Sequence, residues 1–510
     1  MVTESERIQA VLCSCLNGSD VKIGIYGTGK GADAVYRSLQ EIDGTDRLQL
    51  FIDRDDVGLI GTEKYGKRVC TLEEAAGRVD LIFIGARIYH MEIAQRVESF
   101  CNSHGVTAAV IDPFAHYNSL EDKLEFLEYI ENKGKKERPQ FVDICPSDFK
   151  REAADTKLIA WYLPQYYEIE VNNRYYGRGF TEWSNVTQAA PQFCGHDQPQ
   201  IPYDVGFYTL TNPEVLQRQA ALARKYGIYG FSFYYYWFQG ERIMEKPIQL
   251  FLKHTEIQMP FCLTWANENW TSQWDGGSKG IIFKQHLREE DDERFMKDIL
   301  PLFKDPRYLT IDGKPILIVY RSDIFCQDRF CDMLNNFRRI AAESGLPGLY
   351  IMITTAVKSQ VNAVTWGADA LVEFPPHGVA KRTGYLAPKG YLNPNFRGTI
   401  HDAAAMIENR SYLEEYESET VFRGVMTSFD NTSRKGMTGA AVYYGLEPPL
   451  YKRWLMDVML ESKKQHRAEE DFVFINAWNE WAEGAHLEPD MNYGYAYLQA
   501  TMEALEEVRK

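Results

Sequence analysis

From about residue 155 onward the chain carries eight apolar runs, each closing on polar or aromatic residues. They are KLIAWYL (157–163), YGFSFYYYW (229–237), PFCLTWA (260–266), PILIVYR (315–321), LYIMITT (349–355), ALVEF (370–374), RGVMTSF (423–429) and FVFINAW (472–478). Short continuous apolar runs bounded by turn residues read as strands buried on both faces. Helix-like segments lie between most of them. In NPEVLQRQAALARKYGI, Pro213 and Glu214 stand where a helix begins. Eight strand–helix units predict a (β/α)8 barrel with insertions over residues 155–510. The same alternation would also build a large doubly wound α/β domain. The run ends favour the barrel: LPQYY, FYYYWFQG, WANENW, YRSD, EFPPH, SFDNT and WNEWAEG place chemistry at the C-terminal ends of strands, where barrel active sites sit.

Residues 20–115 alternate in the same way over a shorter length. VKIGIY (21–26), LQLFID (48–53), RVDLIFIGA (78–86) and VTAAVID (106–112) read as strands with helices between them, a Rossmann-like parallel sheet. GTGKGA (27–32) joins the first strand to a helix and fits the Gly-x-Gly-x-x-Ala turn, with Gly27, Gly29 and Ala32 in the three places. Asp53 ends the second strand, where a ribose-binding acid lies about 20 residues past the glycines. A nucleotide, a nucleotide-sugar, NAD or CoA could each sit at such a turn, and so could nothing, the turn serving only the scaffold. Asp53-Arg54-Asp55 matches the metal-binding Asp-x-Asp of many nucleotide-sugar transferases but reads here as an acidic turn. No metal site is expected. Residues 116–154 form a connector, starting as an amphipathic helix with Leu120, Leu124, Leu127 and Ile130 at helical spacing. The domains are therefore read as 1–115, 116–154 and 155–510.

Charge narrows the partners. The net charge is −16 and there is no long basic run, which argues against a nucleic acid or an anionic membrane as the main partner. No apolar stretch approaches the roughly 20 residues that span a bilayer. The N-terminus lacks the charged-then-apolar pattern of a signal peptide. Nine scattered cysteines without a Cys-x-x-Cys read as reduced thiols. Together these readings place the protein in the cytoplasm.

The densest chemistry is in FINAWNEWAEG (474–484). A core strand has no need to end in Asn476, Trp478, Asn479, Glu480, Trp481 and Glu483. On a helical turn, Glu480 and Glu483 would have Cβ atoms about 5–6 Å apart. Two carboxylates that close cannot both ionise freely, so one serves as an acid and the other as a base. Glycoside chemistry needs such a pair. The bland alternative is two exposed glutamates at a helix start. Sugars pack their C–H faces on aromatic rings and their hydroxyls on amides and carboxylates. Candidate contacts at the other strand ends are therefore Tyr162, Gln165, Glu182, Trp183, Tyr235, Trp237, Trp265, Asn267, Glu268, Asn269, Trp270, Glu373, His377, Asp430 and Asn431.

In order along the chain, YLPQYY, GFTEWSNV, FYYYWF, PFCLTWANENWT, DGKPILIVYR, EFPPH, SFDNT and FINAWNEWAEGAHLEPD resemble the WbsX glycosyltransferase family over about 157–500. That family is related to glycoside hydrolase family 99, the endo-α-mannosidases. The resemblance implies a (β/α)8 barrel acting on glycans, often encoded with O-antigen or capsule assembly genes. It implies that Glu480 is the base that draws the proton from a sugar 2-hydroxyl, which attacks its own anomeric carbon to give a 1,2-anhydro sugar. Glu483 is then the acid at the leaving oxygen and afterwards the base for the acceptor, with net retention. The barrel chemistry needs no cofactor.

Three functions follow as expectations. The first is a glycosyltransferase of surface-polysaccharide synthesis, with a sugar donor, a glycan acceptor and peripheral association with the assembly machinery. The second is a retaining endo-glycosidase. The third is a non-catalytic glycan-binding scaffold.

Overall fold

The computed structural model describes residues 2–16, 21–54, 58–87, 89–115, 140–271, 280–286, 288–356, 362–378, 383–388, 392–393, 395–413, 416 and 420–509. They divide into two compact units: 1–135 with 191–196 and 385–400, and 136–190 with 197–384 and 401–510. The expected connector helix around Leu120–Ile130 and the residue Asp55 lie outside the described residues.

In the first unit, β1 (Ile23–Tyr26), β2 (Leu48–Ile52), β3 (Lys67–Cys70), β4 (Leu81–Ile84) and β5 (Ala109–Ile111) form a parallel sheet in the order β3-β2-β1-β4-β5. An antiparallel edge strand, Glu63–Lys64, folds back on β3. The strand order reverses direction at β1. Gly27 takes φ 108°, a conformation that side chains resist, and turns the chain from β1 into helix α1 (Lys30–Glu41). Gly31 lets α1 press on the next crossover: a Cβ there would stand 2.6 Å from the Gly85 carbonyl oxygen.

The second unit is a (β/α)8 barrel. Its strands are β6 (Lys157–Tyr162), β7 (Ile228–Phe238), β8 (Phe261–Trp265), β9 (Lys314–Val319), β10 (Tyr350–Thr354), β11 (Ala370–Val372), β12 (Val421–Phe422), β13 (Gly424–Met426) and β14 (Phe472–Asn476). From β6 to β12 each pairs in parallel with the next, β13 pairs in parallel with β14, and β14 returns to β6. β12 and β13 are one stretch of chain interrupted at Arg423: the first half pairs with β11 and the second with β14, so eight runs close the sheet. These are the eight apolar runs read from the sequence. They are continuous because a barrel strand is buried on both faces. Asn212 and Pro213 start α2 (Pro213–Lys225), the Asn212 side chain accepting the Glu214 N–H at 3.0 Å.

Inside the barrel a small polar knot replaces apolar packing. Trp161 donates its indole N–H to Thr264 Oγ1 at 3.1 Å, and Thr264 shares a bond with Ser232 at 2.7 Å. This knot fixes the facing of the strands: side chains at Trp161, Ser232 and Thr264 point inward, and those at every second position from them do too. Among the described residues no helix is long and apolar enough to cross a membrane.

Candidate active site

At the C-terminal ends of the barrel strands lies a cavity of about 330 Å³. Its wall takes Leu163 and Gln165 from beyond β6, Tyr234 and Tyr236 from β7, and Ala266, Glu268, Asn269, Trp270 and Thr271 from beyond β8. Tyr320, Arg321 and Ala356 follow from β9 and β10, and Phe374 and His377 from beyond β11. Phe429, Asn431, Arg434 and Lys435 come from the loop after β13, and Glu480 and Glu483 from the loop after β14.

The two glutamates do not share an α-helical turn. Glu480 ends a two-residue strand, Asn479–Glu480, and Glu483 closes a 3-10 turn, Trp481–Glu483. They converge on Arg434 of the short helix Thr432–Lys435. Arg434 donates from Nη2 to Glu480 Oε2 at 2.8 Å and from Nη1 to Glu483 Oε1 at 2.7 Å. Its Nε donates to Glu182 Oε1 at 2.7 Å. Burial pushes the Glu480 carboxyl up to about 8; Arg434 opposes that rise, and Glu483 and Glu182 add to it. Glu480 is therefore a carboxyl that resists ionising at neutral pH.

Across the cavity, Glu268 accepts from Arg321 Nη1 at 3.2 Å, and burial raises its carboxyl. Arg321 is itself held by Asp323, through Nε at 2.6 Å and Nη2 at 2.7 Å. Burial lowers the imidazole of His377, which favours its neutral form. Burial also raises Tyr234, Tyr236 and Tyr320, so their phenols remain hydroxyls able to donate.

Of the residues singled out from the sequence, Gln165, Glu268, Asn269, Trp270, His377, Asn431, Glu480 and Glu483 line the cavity. The others lie elsewhere, for physical reasons. Tyr235 and Trp237 occupy the outward register of β7. The Tyr235 hydroxyl donates to Asp298 at 2.6 Å, and Trp237 packs edge-on against Phe295 of α3 (Glu289–Phe303). Trp265 faces outward for the same reason and stacks on Phe295 at 4.4 Å. Tyr162 is buried, donating to Gln219 at 2.5 Å. Glu182 lies behind Arg434, while Trp183 donates to the Tyr208 carbonyl at 2.7 Å. Asn267 clamps the Arg321 backbone through two bonds of 2.7 Å. Glu373 accepts from Arg423 at 2.9 Å and from the Gly424 N–H at 3.0 Å. Asp430 accepts from Gln198 at 2.7 Å and from the Thr432 N–H at 3.0 Å.

The amides and indoles of 476–481 also turn into the protein. Asn476 donates to the Pro375 carbonyl at 2.8 Å. Asn479 brackets Leu163, accepting its N–H at 2.7 Å and donating to its carbonyl at 3.0 Å. The indoles of Trp478 and Trp481 both donate to Glu488, at 3.2 and 2.7 Å. They frame the segment that presents the two glutamates. Arg434, Lys435, Tyr234, Tyr236, Tyr320 and Arg321 escape the sequence reading. Only the inward facing of Ser232 and Thr264 in the folded sheet shows which tyrosines of β7 look inward.

In the first unit, Gly29 opens α1 with no heavy atom within 4 Å of an added Cβ, so a phosphate could approach the helix N-terminus there. Asp53 Oδ2 accepts from Thr28 Oγ1 at 2.6 Å and Oδ1 from the Arg54 N–H at 2.8 Å. Ala32 is buried against Gly85. Among the described residues no group of three or more His, Cys, Asp or Glu side chains is arranged to hold a metal ion.

The family model for glycosyltransferase WbsX matches residues 158–501, nearly all of the barrel. The chain belongs to the WbsX glycosyltransferase family. It is 37% identical over 357 residues to an uncharacterized protein, WxcX, of two strains of Xanthomonas campestris pv. campestris. That match takes in 69% of this chain and 50% of WxcX, so the chain spans about half the length of the curated relatives it matches. Among solved structures, the endo-α-mannosidase of glycoside hydrolase family 99 from Bacteroides thetaiotaomicron aligns over 71% of this chain and 98% of its own, at 14% identity and a TM-score of 0.44. A glycoside hydrolase-like protein aligns over 72% and 98%, at 14% identity and a TM-score of 0.42.

Proposed function

We propose that this WbsX-family protein is a retaining glycosyltransferase of O-antigen or capsular polysaccharide synthesis, with Glu480 and Glu483 as its acid–base pair. The observation that supports acid–base chemistry on a sugar is the pair itself: two carboxyls on one guanidinium, Glu480 pushed up by burial, in a cavity at the C-terminal ends of the barrel strands, while the choice of transfer rests on the family. In the first step Glu480, having passed its own proton to Glu483, takes the proton of the sugar 2-hydroxyl. O2 then attacks the anomeric carbon and closes a 1,2-anhydro ring, while Glu483 gives its proton to the departing oxygen. In the second step Glu483 takes the proton of the acceptor hydroxyl. The acceptor oxygen opens the ring at the anomeric carbon, and Glu480 returns its proton to O2. Two inversions give retention.

The second reading is a retaining hydrolase, with water as acceptor. A carboxylic acid beside the leaving oxygen matters most when that oxygen leaves as a sugar alkoxide, and least when a nucleoside diphosphate leaves. Proton NMR of the protein mixed with nucleotide-sugars and α-linked oligosaccharides separates the two. Nucleoside diphosphate release with a new glycosidic signal supports transfer. A new reducing-end signal without nucleotide turnover supports hydrolysis. In the transfer reading, the Gly27–Ala32 turn and Asp53 would hold a nucleotide or nucleotide-sugar.

Two further results are expected. With Glu480 up at about 8, the pair loses its last proton as pH rises through that value, and kcat/KM falls about tenfold per pH unit above it. A profile flat to pH 10 contradicts the shared proton. Tyr236→Phe removes a cavity hydroxyl and lowers kcat/KM about tenfold, one neutral hydrogen bond's worth. Tyr235→Phe, on the opposite face of β7, leaves kcat/KM within about twofold, and equal losses would show that the cavity is not the site.

A further inference from the structure

Arg434 spends three of its nitrogens on three different carboxylates, and its side chain is 10% exposed. A guanidinium is planar and rigid, so oxygens on Nε, Nη1 and Nη2 are held in one plane at fixed angles. Glu182, the partner on Nε, has a fully buried side chain and belongs to the helix Glu182–Gln188. The turn that carries Arg434 is built on the segment that carries the pair. The Asp430 N–H donates to the Glu483 carbonyl at 2.6 Å, and Ser433 Oγ donates to the Ala482 carbonyl at 3.1 Å. Asp430 caps that turn through the Thr432 N–H and, at 2.7 Å, its hydroxyl.

We propose that Arg434 is a positioning residue for the carboxyl pair, anchored from behind by Glu182, which fixes the spacing of Glu480 and Glu483 and sets how they share a proton. This rests on the reading of the two as an acid–base pair. One cation faces three carboxylates, a surplus of negative charge that a proton on the pair reduces. Arg434 favours the ionised pair, and Glu182 partly cancels it from the far side. Among the described residues, the other titratable groups around this cluster are Tyr166 from beyond β6, Tyr176, Tyr234 and Tyr236 of β7, Tyr320 from beyond β9, Glu268, His377 and, on the same turn, Lys435. Burial keeps the phenols protonated and favours neutral His377, Glu268 adds to the negative side, and Lys435 acts with the sign of Arg434.

The two anchors therefore act in opposite directions. Protein carrying glutamate labelled with ¹³C at the side-chain carboxyl is titrated by NMR, the Glu480 and Glu483 signals being assigned by their loss in Glu480→Gln and Glu483→Gln. Glu182→Gln is expected to move the Glu480 titration down by about one pH unit, and Arg434→Met to move it up by at least as much. Arg434→Lys keeps the charge but not the plane. It is expected to titrate near wild type while kcat falls about 100-fold with KM little changed. Glu182→Gln is nearly isosteric and decides the matter where Arg434→Met fails to fold. Shifts of the same sign, or no shift in folded Glu182→Gln, overturn the proposal. Opposite shifts in a protein that turns over no glycan would uphold Arg434's place and sink the functional reading instead.

Discussion

Glu480→Gln lowers turnover about 1,000-fold, because an amide of the same shape can hydrogen-bond but cannot take the 2-hydroxyl proton. Glu483→Gln lowers it as far with an ordinary glycoside, but the two variants part when the leaving group is changed. A leaving oxygen of low pKa, such as an aryl glycoside's, needs no proton, so Glu483→Gln recovers much of its rate on that substrate. Glu480→Gln does not, since its proton transfer is at O2 and independent of what departs. Single-turnover kinetics on paired alkyl and aryl glycosides read the difference. Equal recovery in both variants would reassign the roles, and full activity in both would leave only the scaffold reading.

Glu488→Ala destabilises the barrel by about 4 kcal/mol or more at pH 6, measured by urea unfolding. The Glu488 carboxyl accepts from Gln219 at 2.6 Å, Trp481 at 2.7 Å, Tyr208 at 2.8 Å and Trp478 at 3.2 Å. Each buried donor left without a partner costs about 1–3 kcal/mol, and a cavity adds to that. Activity falls in step, since both indoles frame the loop of Glu480 and Glu483. Burial pushes Glu488 from 4.5 up to about 7, with the four donors opposing the rise. The folded chain thus holds this proton more tightly than the unfolded one. The stability it contributes is complete below about pH 4.5 and lost as pH rises through about 7. Glu488→Gln lacks that component of the slope. An unchanged slope in Glu488→Gln would show that Glu488 stays ionised throughout.

The apolar runs, with the polar residues at their ends, pointed to the barrel over a doubly wound sheet. Parallel strands buried on both faces must be apolar along their whole length, so eight runs became eight strands and their polar ends came to one face. The convergence of Glu480 and Glu483 was legible too, because three positions of local chain bring two side chains together whether the turn is α or 3-10. Three things were decided only by tertiary structure. In FYYYWF every position is aromatic, so no alternation shows which tyrosines look inward; closure of the sheet around Trp161, Ser232 and Thr264 chose Tyr234 and Tyr236. Trp478 and Trp481 read as a sugar platform, yet their indole N–H groups found Glu488, since a buried donor must be satisfied inside the protein. Arg434 sits in a polar loop whose local pattern says nothing of its partners. Its three carboxylates come from residues 182, 480 and 483. Only the folding of the barrel, which sets the loops after its strands side by side, brings that charge under the pair.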